Sequence, residues 1–305
     1  FDYLLGHVLH VDIPELPEER YELAPLDRGN LVHETLDEFL REVLTRPTGP
    51  PRPDIPWTDA DRTRLAEIGE SRCAAYEAQG LTGRRLFWHR DRRRVLADLD
   101  RFLTEDAVMR DAYGLRTVAT ELRFGFATAS APPVEVLLSD GRTLRFRGAA
   151  DRVDRTEHGA LWVIDYKTGW PRGLDADDPT AAGTLLQLPV YAHAARSSFG
   201  DAETPVGASY WYVSTRGGFR WAELSLTPDV DRRVDEVLRT IADGIDAGAF
   251  PCRVDPPSTW TRRVRSYTDP DARGTRDRYR EWRRKRNAPE LQGYLALAEP
   301  AVADD

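Results

Sequence analysis

Two aspartates and a lysine are the residues of this 305-residue chain whose types and spacing could do chemistry. Asp165 and Lys167 stand at the polar end of Leu161-Trp162-Val163-Ile164-Asp165-Tyr166-Lys167-Thr168-Gly169. Side chains two apart on a strand point the same way, so this carboxylate and this ammonium share a face. Lys167 is one of only two lysines, the other being Lys285, among 43 basic residues. A compact ammonium with a tunable pKa is kept here in a chain that otherwise writes arginine, with its wide and permanently charged fork. Upstream, Thr143 to Asp154 alternates as one strand and carries Asp151 near its end. If it pairs with the Asp165 strand about a turn at His158-Gly159, the two carboxylates converge at one end of a sheet. Such a pair beside an amine matches a hard divalent cation, because Mg²⁺ takes one or two protein carboxylates and leaves its other positions to water and substrate phosphate.

The elements that must position these groups are readable from periodicity. Four apolar residues rich in β-formers precede Asp165 and read as a buried strand. Asp12 to Pro17 is extended and linker-like, and Asp27-Arg28-Gly29 then leads into a helix with Val32, Leu36, Phe39, Leu40 and Val43 at helical spacing. His33 sits at the rim of that stripe. Pro47 to Pro56 holds five prolines and reads as a loop. Residues 59–112 read as helical throughout and as an inserted subdomain without chemistry, in which Cys73 is a small buried hydrophobe. From Val118 the period changes to two, and the strand to Phe126 carries Glu121, either a further acid beside the cation or the cap of a sheet edge. Asp140-Gly141 marks one hairpin and Gly217-Gly218 a second. Between them lie the acidic loop Asp175 to Pro179 and a helix through Leu185 to Ala194. Pro189 is tolerated there only near the first turn, and Gln187 and Tyr191, four apart, share a face. An amphipathic helix from Val230 to Ile245, a basic segment and a short helix around Tyr294-Leu295 follow.

Gly29-x-x-x-His33, Gly148-x-x-Asp151, Asp165-Tyr166-Lys167 and Gln187-x-x-x-Tyr191, in that order, resemble the PD-(D/E)XK nuclease superfamily. Within it the pattern is most similar to the RecB/AddB-type nuclease domains of bacterial helicase–nuclease complexes. The resemblance spans roughly residues 1–300. It implies an α/β, restriction-endonuclease-like core, a mixed central β-sheet flanked by helices, with an N-terminal helical part over residues 1–45, the helical insertion over 46–116 and the core with its basic C-terminal segment over 117–305. It also implies a metal-dependent DNA nuclease, in which Asp151 and Asp165 hold Mg²⁺ or Mn²⁺ with the Tyr166 carbonyl as an extra ligand. Lys167 would orient the attacking water, His33 and Glu121 would complete the metal shell, and Gln187 and Tyr191 would position the strand. The implied partners are DNA, with single-stranded ends, and a helicase motor in the same chain or another subunit. The rival readings are a catalytically silent DNA-binding or scaffolding domain and a phosphatase built on paired carboxylates.

Composition bounds the rest. No Gly-x-x-x-x-Gly-Lys-Ser/Thr occurs, so these residues do not hold a motor's phosphate loop. Cys73 and Cys252 give no disulfide framework and no zinc spacing. Many AddB-like relatives carry a four-cysteine iron–sulfur cluster; Arg265 to Asp269, where a Cys-x-x-Cys would fall, has none, so no cluster is expected. The two isolated cysteines fit a reducing cytoplasm, no apolar run approaches a membrane span and no signal peptide opens the chain. It opens at Phe1 without methionine, in what reads as a structured segment, and is expected to be a fragment of a longer protein. The net charge of −8 is unusual for a nucleic-acid binder. Local tracks offset it: six arginines fall within residues 84–94 and eleven basic residues within 262–286. These tracks read either as two solvated helix faces or as a backbone track for a polyanion, in which the interleaved Phe87, Trp88, Tyr279 and Trp282 would offer stacking faces to bases.

Overall fold

A computed structural model describes residues 8–9, 21–129, 131–171, 174–175, 178–251, 253 and 275–298. Among them the helices are α1 (Pro25–Thr45), α2 (Asp59–Ala78), α3 (Arg85–Tyr113), α4 (Gln187–Phe199), α5 (Pro228–Asp246), α6 (Thr275–Lys285) and α7 (Gln292–Ala298). The strands are β1 (Leu115–Phe124), β2 (Val134–Leu137), β3 (Thr143–Phe146), β4 (Gly148–Thr156), β5 (Leu161–Lys167), β6 (Val206–Tyr212) and β7 (Trp221–Ser225). Asp12 to Pro17, Cys252, Arg265 to Asp269 and most of the basic segment from 262 lie outside the described residues.

The chain divides into two units. Glu18–Ala181 with Leu185–Arg232 form one, and Phe1–Pro17, Ala182–Thr184 and Arg233–Asp305 the other. The first holds a mixed five-stranded sheet in the order β1-β4-β5-β6-β7, with β2 and β3 as a separate hairpin. β4 runs antiparallel to both of its neighbours, β1 and β5, and β6 runs antiparallel to β7, whereas β5 and β6 are parallel. A parallel pair needs a crossover, and α4 supplies it. Every residue of β6 is buried, as expected of a strand covered on both faces.

Helical spacing explains which side of each helix is covered. Leu31, Val32, Leu36, Phe39, Leu40 and Val43 of α1 are buried together with Leu65 and Ile68 of α2, Leu99 and Phe102 of α3, and Ile164, Tyr166 and Trp211 of the sheet. The helical stretch expected as an insertion therefore supplies α2 and α3, which share their core with α1 and one face of the sheet. On the other face Leu188, Ala192 and Ala195 of α4 pack with Val153, Val163 and Ala208. A second, charged layer ties α3 to β4. Asp106 accepts from Trp57 Nε1 (2.6 Å) and Arg110 Nε (2.8 Å), and also from Arg152, which in turn pairs with Asp154.

Two expectations are corrected. Thr143 to Asp154 is not one strand: β3 pairs only with β2, the chain breaks at Arg147, and β4 begins at Gly148 between β1 and β5. Trp88 and Trp282 are not stacking faces either. Trp88 is buried and donates to Glu77 (3.2 Å), and Trp282 is buried with its ring edge-on to Tyr294 at 6.2 Å. The arginine track is also half engaged within the fold: Arg84 lies over the Tyr21 ring, Arg90 pairs with Glu22 and Asp91, and Arg92 with Glu70. Cys73 is buried as expected, and burial pushes its thiol up to about 11.

Candidate active site

Pairing of β4 with β5 sets the centre of the site. Arg152 faces Ile164 and Val153 faces Val163 about the turn at Gly159, and the same register carried one step past these paired residues brings Asp151 across from Asp165. Opposed residues of an antiparallel pair put their side chains on the same face. Both carboxylates are nearly enclosed, Asp151 being 8% and Asp165 3% exposed. One Asp151 oxygen accepts the Tyr166 amide (2.7 Å), which locks its rotamer, and the other lies 3.1 Å from His33 Nδ1. α1 thus delivers His33 to the end of β4 across a sequence gap of 118 residues.

Asp165 forms an ion pair with Lys167. The ammonium also donates to Gln187 Oε1 (3.2 Å), and Gln187 Nε2 donates to the Tyr191 hydroxyl at 3.5 Å. α4 therefore lays its polar face against the lysine, with Pro189 in its first turn. The Tyr210 ring lies beneath Lys167, 5.0 Å from Nζ. The Tyr166 side chain turns into the aromatic cluster with Phe102 (5.7 Å) and Trp211 (6.0 Å), its ring edge-on to His33 at 5.9 Å, and its backbone faces the carboxylates. Glu121 stands on the edge strand with φ of +47°, an uncommon conformation for a side-chain-bearing residue. It lines a cavity of about 320 Å³ with His33, Asp37 and Arg123. The structure thus brings together His33, Asp151, Asp165, Lys167, Gln187 and Tyr191, with Glu121 on the His33 side.

The electrostatics are those of too much negative charge for the cations present. Burial, then the neighbouring Asp151 charge, hold the Asp165 carboxyl up at about 6 against the pull of Lys167. Glu121 is raised by burial and by Asp151 and Asp37. Burial lowers His33, but its hydrogen bond to Asp151 and the charges of Asp151 and Asp165 outweigh that and raise it. Tyr191 is pushed up to about 12 by burial and by Asp165. Among the described residues no three His, Cys, Asp or Glu side chains form a ready metal cage. The donor set nonetheless fits Mg²⁺ or Mn²⁺, which need only one or two protein carboxylates and keep waters and substrate oxygens. The family model described as the PD-(D/E)XK nuclease superfamily matches residues 1–258.

The chain belongs to the PD-(D/E)XK nuclease superfamily.

Its curated relatives in that superfamily are similar only in part. An ATP-dependent helicase/deoxyribonuclease subunit from Lacticaseibacillus casei is 27% identical over 246 residues, covering 78% of this chain and 19% of the relative. The proteins of the same name from Clostridium perfringens and Alkaliphilus metalliredigens are 27% and 25% identical, over 49% and 60% of this chain and 13% and 16% of theirs. The chain thus spans less than a fifth of the length of these relatives. Among solved structures, that of SSO0001 covers 75% of this chain and 99% of its own at 15% identity and a TM-score of 0.25, too low to bear on the fold.

Sequence reasoning missed several supporting groups of this candidate site. A Cβ on Gly148 would lie 2.8 Å from Phe124 Cζ and 3.1 Å from Tyr191 Cε1, so the glycine of Gly148-x-x-Asp151 makes room for the tyrosine. The Thr120 hydroxyl sits between Asp37 Oδ1 (3.0 Å) and the Asp151 carbonyl (3.1 Å). Tyr210 could have been found from the strand alternation of Ala208 to Tyr212, but its partner Lys167 could not.

Proposed function

We propose that this chain is the nuclease domain of a DNA helicase–nuclease and hydrolyses phosphodiester bonds of DNA with Mg²⁺ or Mn²⁺. The observation that carries this is the opposed, buried pair Asp151 and Asp165 with Lys167 beside it. Asp151 and Asp165 would hold the ion, with His33, Glu121 and the Tyr166 carbonyl as further donors. When bound, the ion would supply a water of lowered pKa and stabilise negative charge on the reacting phosphate.

The chain's own residues account for the remaining tasks. The Tyr166 amide and His33 fix the Asp151 carboxylate so that it need not reorganise. The Lys167 ammonium, held between Asp165 and Gln187, is a fixed positive charge that orients the attacking water and meets the developing charge. Gln187 and Tyr191 present an amide and a hydroxyl to the strand. In this reading the partner is DNA with single-stranded ends, delivered by a helicase motor in the same or another chain, in the cytoplasm.

The test is cleavage of end-labelled single-stranded DNA in Mg²⁺ and in EDTA. Cleavage in Mg²⁺ only, lowered by about 10²-fold or more in Asp165→Ala, is expected. Turnover of nitrophenyl phosphate with DNA left intact would contradict it.

A further inference from the structure

Three residues beyond Lys167, Trp170 is 73% exposed. Of the other described tryptophans, Trp57, Trp88, Trp211 and Trp282 are buried and Trp162 and Trp221 are half-buried. A broad aromatic face left in water beside a polar site is not explained by packing. The Arg216 guanidinium lies over this ring, 5.9 Å from its centre.

The two loops that carry the pair are tied down. The Ser214 hydroxyl donates to the Thr168 carbonyl (3.2 Å) and accepts from the Gly217 amide (3.0 Å). The Thr215 amide and hydroxyl both donate to the buried Asp98 of α3, at 2.9 and 2.6 Å. The exit of β5 and the β6–β7 turn are thereby held to each other and to α3. Trp170 stands at most about 11 Å along the chain from Lys167, on the order of three stacked nucleotides.

We propose that Trp170 and Arg216 form a stacking site for an unpaired base of single-stranded DNA, beside the Asp165–Lys167 centre. Every base has a π-face, so such a platform accepts any sequence, and a guanidinium at its rim adds cation–π attraction and an attachment for the backbone phosphate. A base within a duplex has no free face to offer, so the site selects unpaired strand. This inference rests on the nuclease reading but concerns binding, which can be measured without hydrolysis.

The experiment is fluorescence anisotropy of a labelled oligothymidylate in EDTA, against a series in which a single abasic position is moved along the strand. Wild type is expected to bind the intact strand and to lose about tenfold in affinity when the abasic position meets the platform. Trp170→Ala should bind the intact strand about tenfold more weakly and no longer sense the abasic position, while Trp170→Phe restores most of both. Arg216→Ala should weaken binding and flatten its salt dependence. Equal binding by wild type and Trp170→Ala, or abasic sensitivity retained in Trp170→Ala, overturns the stacking site and leaves the nuclease reading standing. A wild type that binds no oligonucleotide and cleaves none overturns both.

Discussion

His33 Nδ1 lies 3.1 Å from Asp151 Oδ1, so the first helix of the chain is fastened to the strand that carries one of the two site carboxylates. The second oxygen of Asp151 is taken by the Tyr166 amide at 2.7 Å. Asp151 is therefore held from α1 and from β5 at once, whereas among the described residues Asp165 is held by Lys167 alone.

The Asp165 carboxyl sits at about 6 in the fold against an ordinary 3.8, through burial and then the Asp151 charge. The folded chain thus binds this proton more tightly than the unfolded chain. In metal-free buffer the contribution of Asp165 to stability declines as the pH rises from about 4 to 6, by on the order of 3 kcal/mol. A divalent ion held at Asp165 would compete with that proton, so its stabilising effect should be full above pH 6 and fade below it. Thermal unfolding in EDTA and in Mg²⁺ at pH 5 and pH 8 checks this, and Asp165→Asn should abolish the difference.

Lys167 touches Asp165, Gln187 and the face of Tyr210, which leaves room for a compact ammonium and little for a planar fork. Lys167→Ala is expected to lower kcat by about 10²-fold or more with little change in KM. Lys167→Arg should not restore the rate. Steady-state cleavage kinetics measure both.

Gly148→Ala places a methyl group against Phe124 and Tyr191. Overpacking of this kind costs about 1–3 kcal/mol. The ring of Tyr191 must give way, so activity should fall further in Gly148→Ala than in a surface variant of equal stability. Urea unfolding and cleavage rate, measured on the same preparation, separate the two effects.

Arg152 links Asp106 of α3 to Asp154 of its own strand, all three fully buried. Burial with too little compensation raises Asp154, whereas Arg152 and Arg110 outweigh burial and lower Asp106. Arg152→Met leaves two buried carboxylates short of a partner and should cost about 3–5 kcal/mol in urea unfolding. A loss below about 1 kcal/mol would mean the cluster does not hold α3 to the sheet.

Much of this was legible in the sequence because the decisive contacts are local in pattern. Alternation and the His158-Gly159 turn place Asp151 opposite Asp165, and the four-residue step places Gln187 beside Tyr191. Strand register carries the face of every side chain with it. The break at Arg147 was hidden because the period of two set by Leu144 and Phe146 runs on to Ala150, across two strands that pair in different sheets. Trp88 amid arginines reads as a stacking face until α2 supplies Glu77 for its indole. Asp106 reads as an ordinary helix acid, since Arg152 reaches it across 46 residues. Alternation along Asp165-Tyr166-Lys167 turns the tyrosine ring to the opposite face, but nothing there indicates that its amide serves Asp151.

The central claim is that Asp151 and Asp165 together hold one divalent ion. Anomalous diffraction from crystals soaked in Mn²⁺ tests it most directly. A peak is expected within ligand distance of both carboxylates, about 2.0–2.2 Å for such an ion, that disappears in Asp165→Ala. An active protein whose crystals bind Mn²⁺ elsewhere, with no peak between these two side chains, would contradict it.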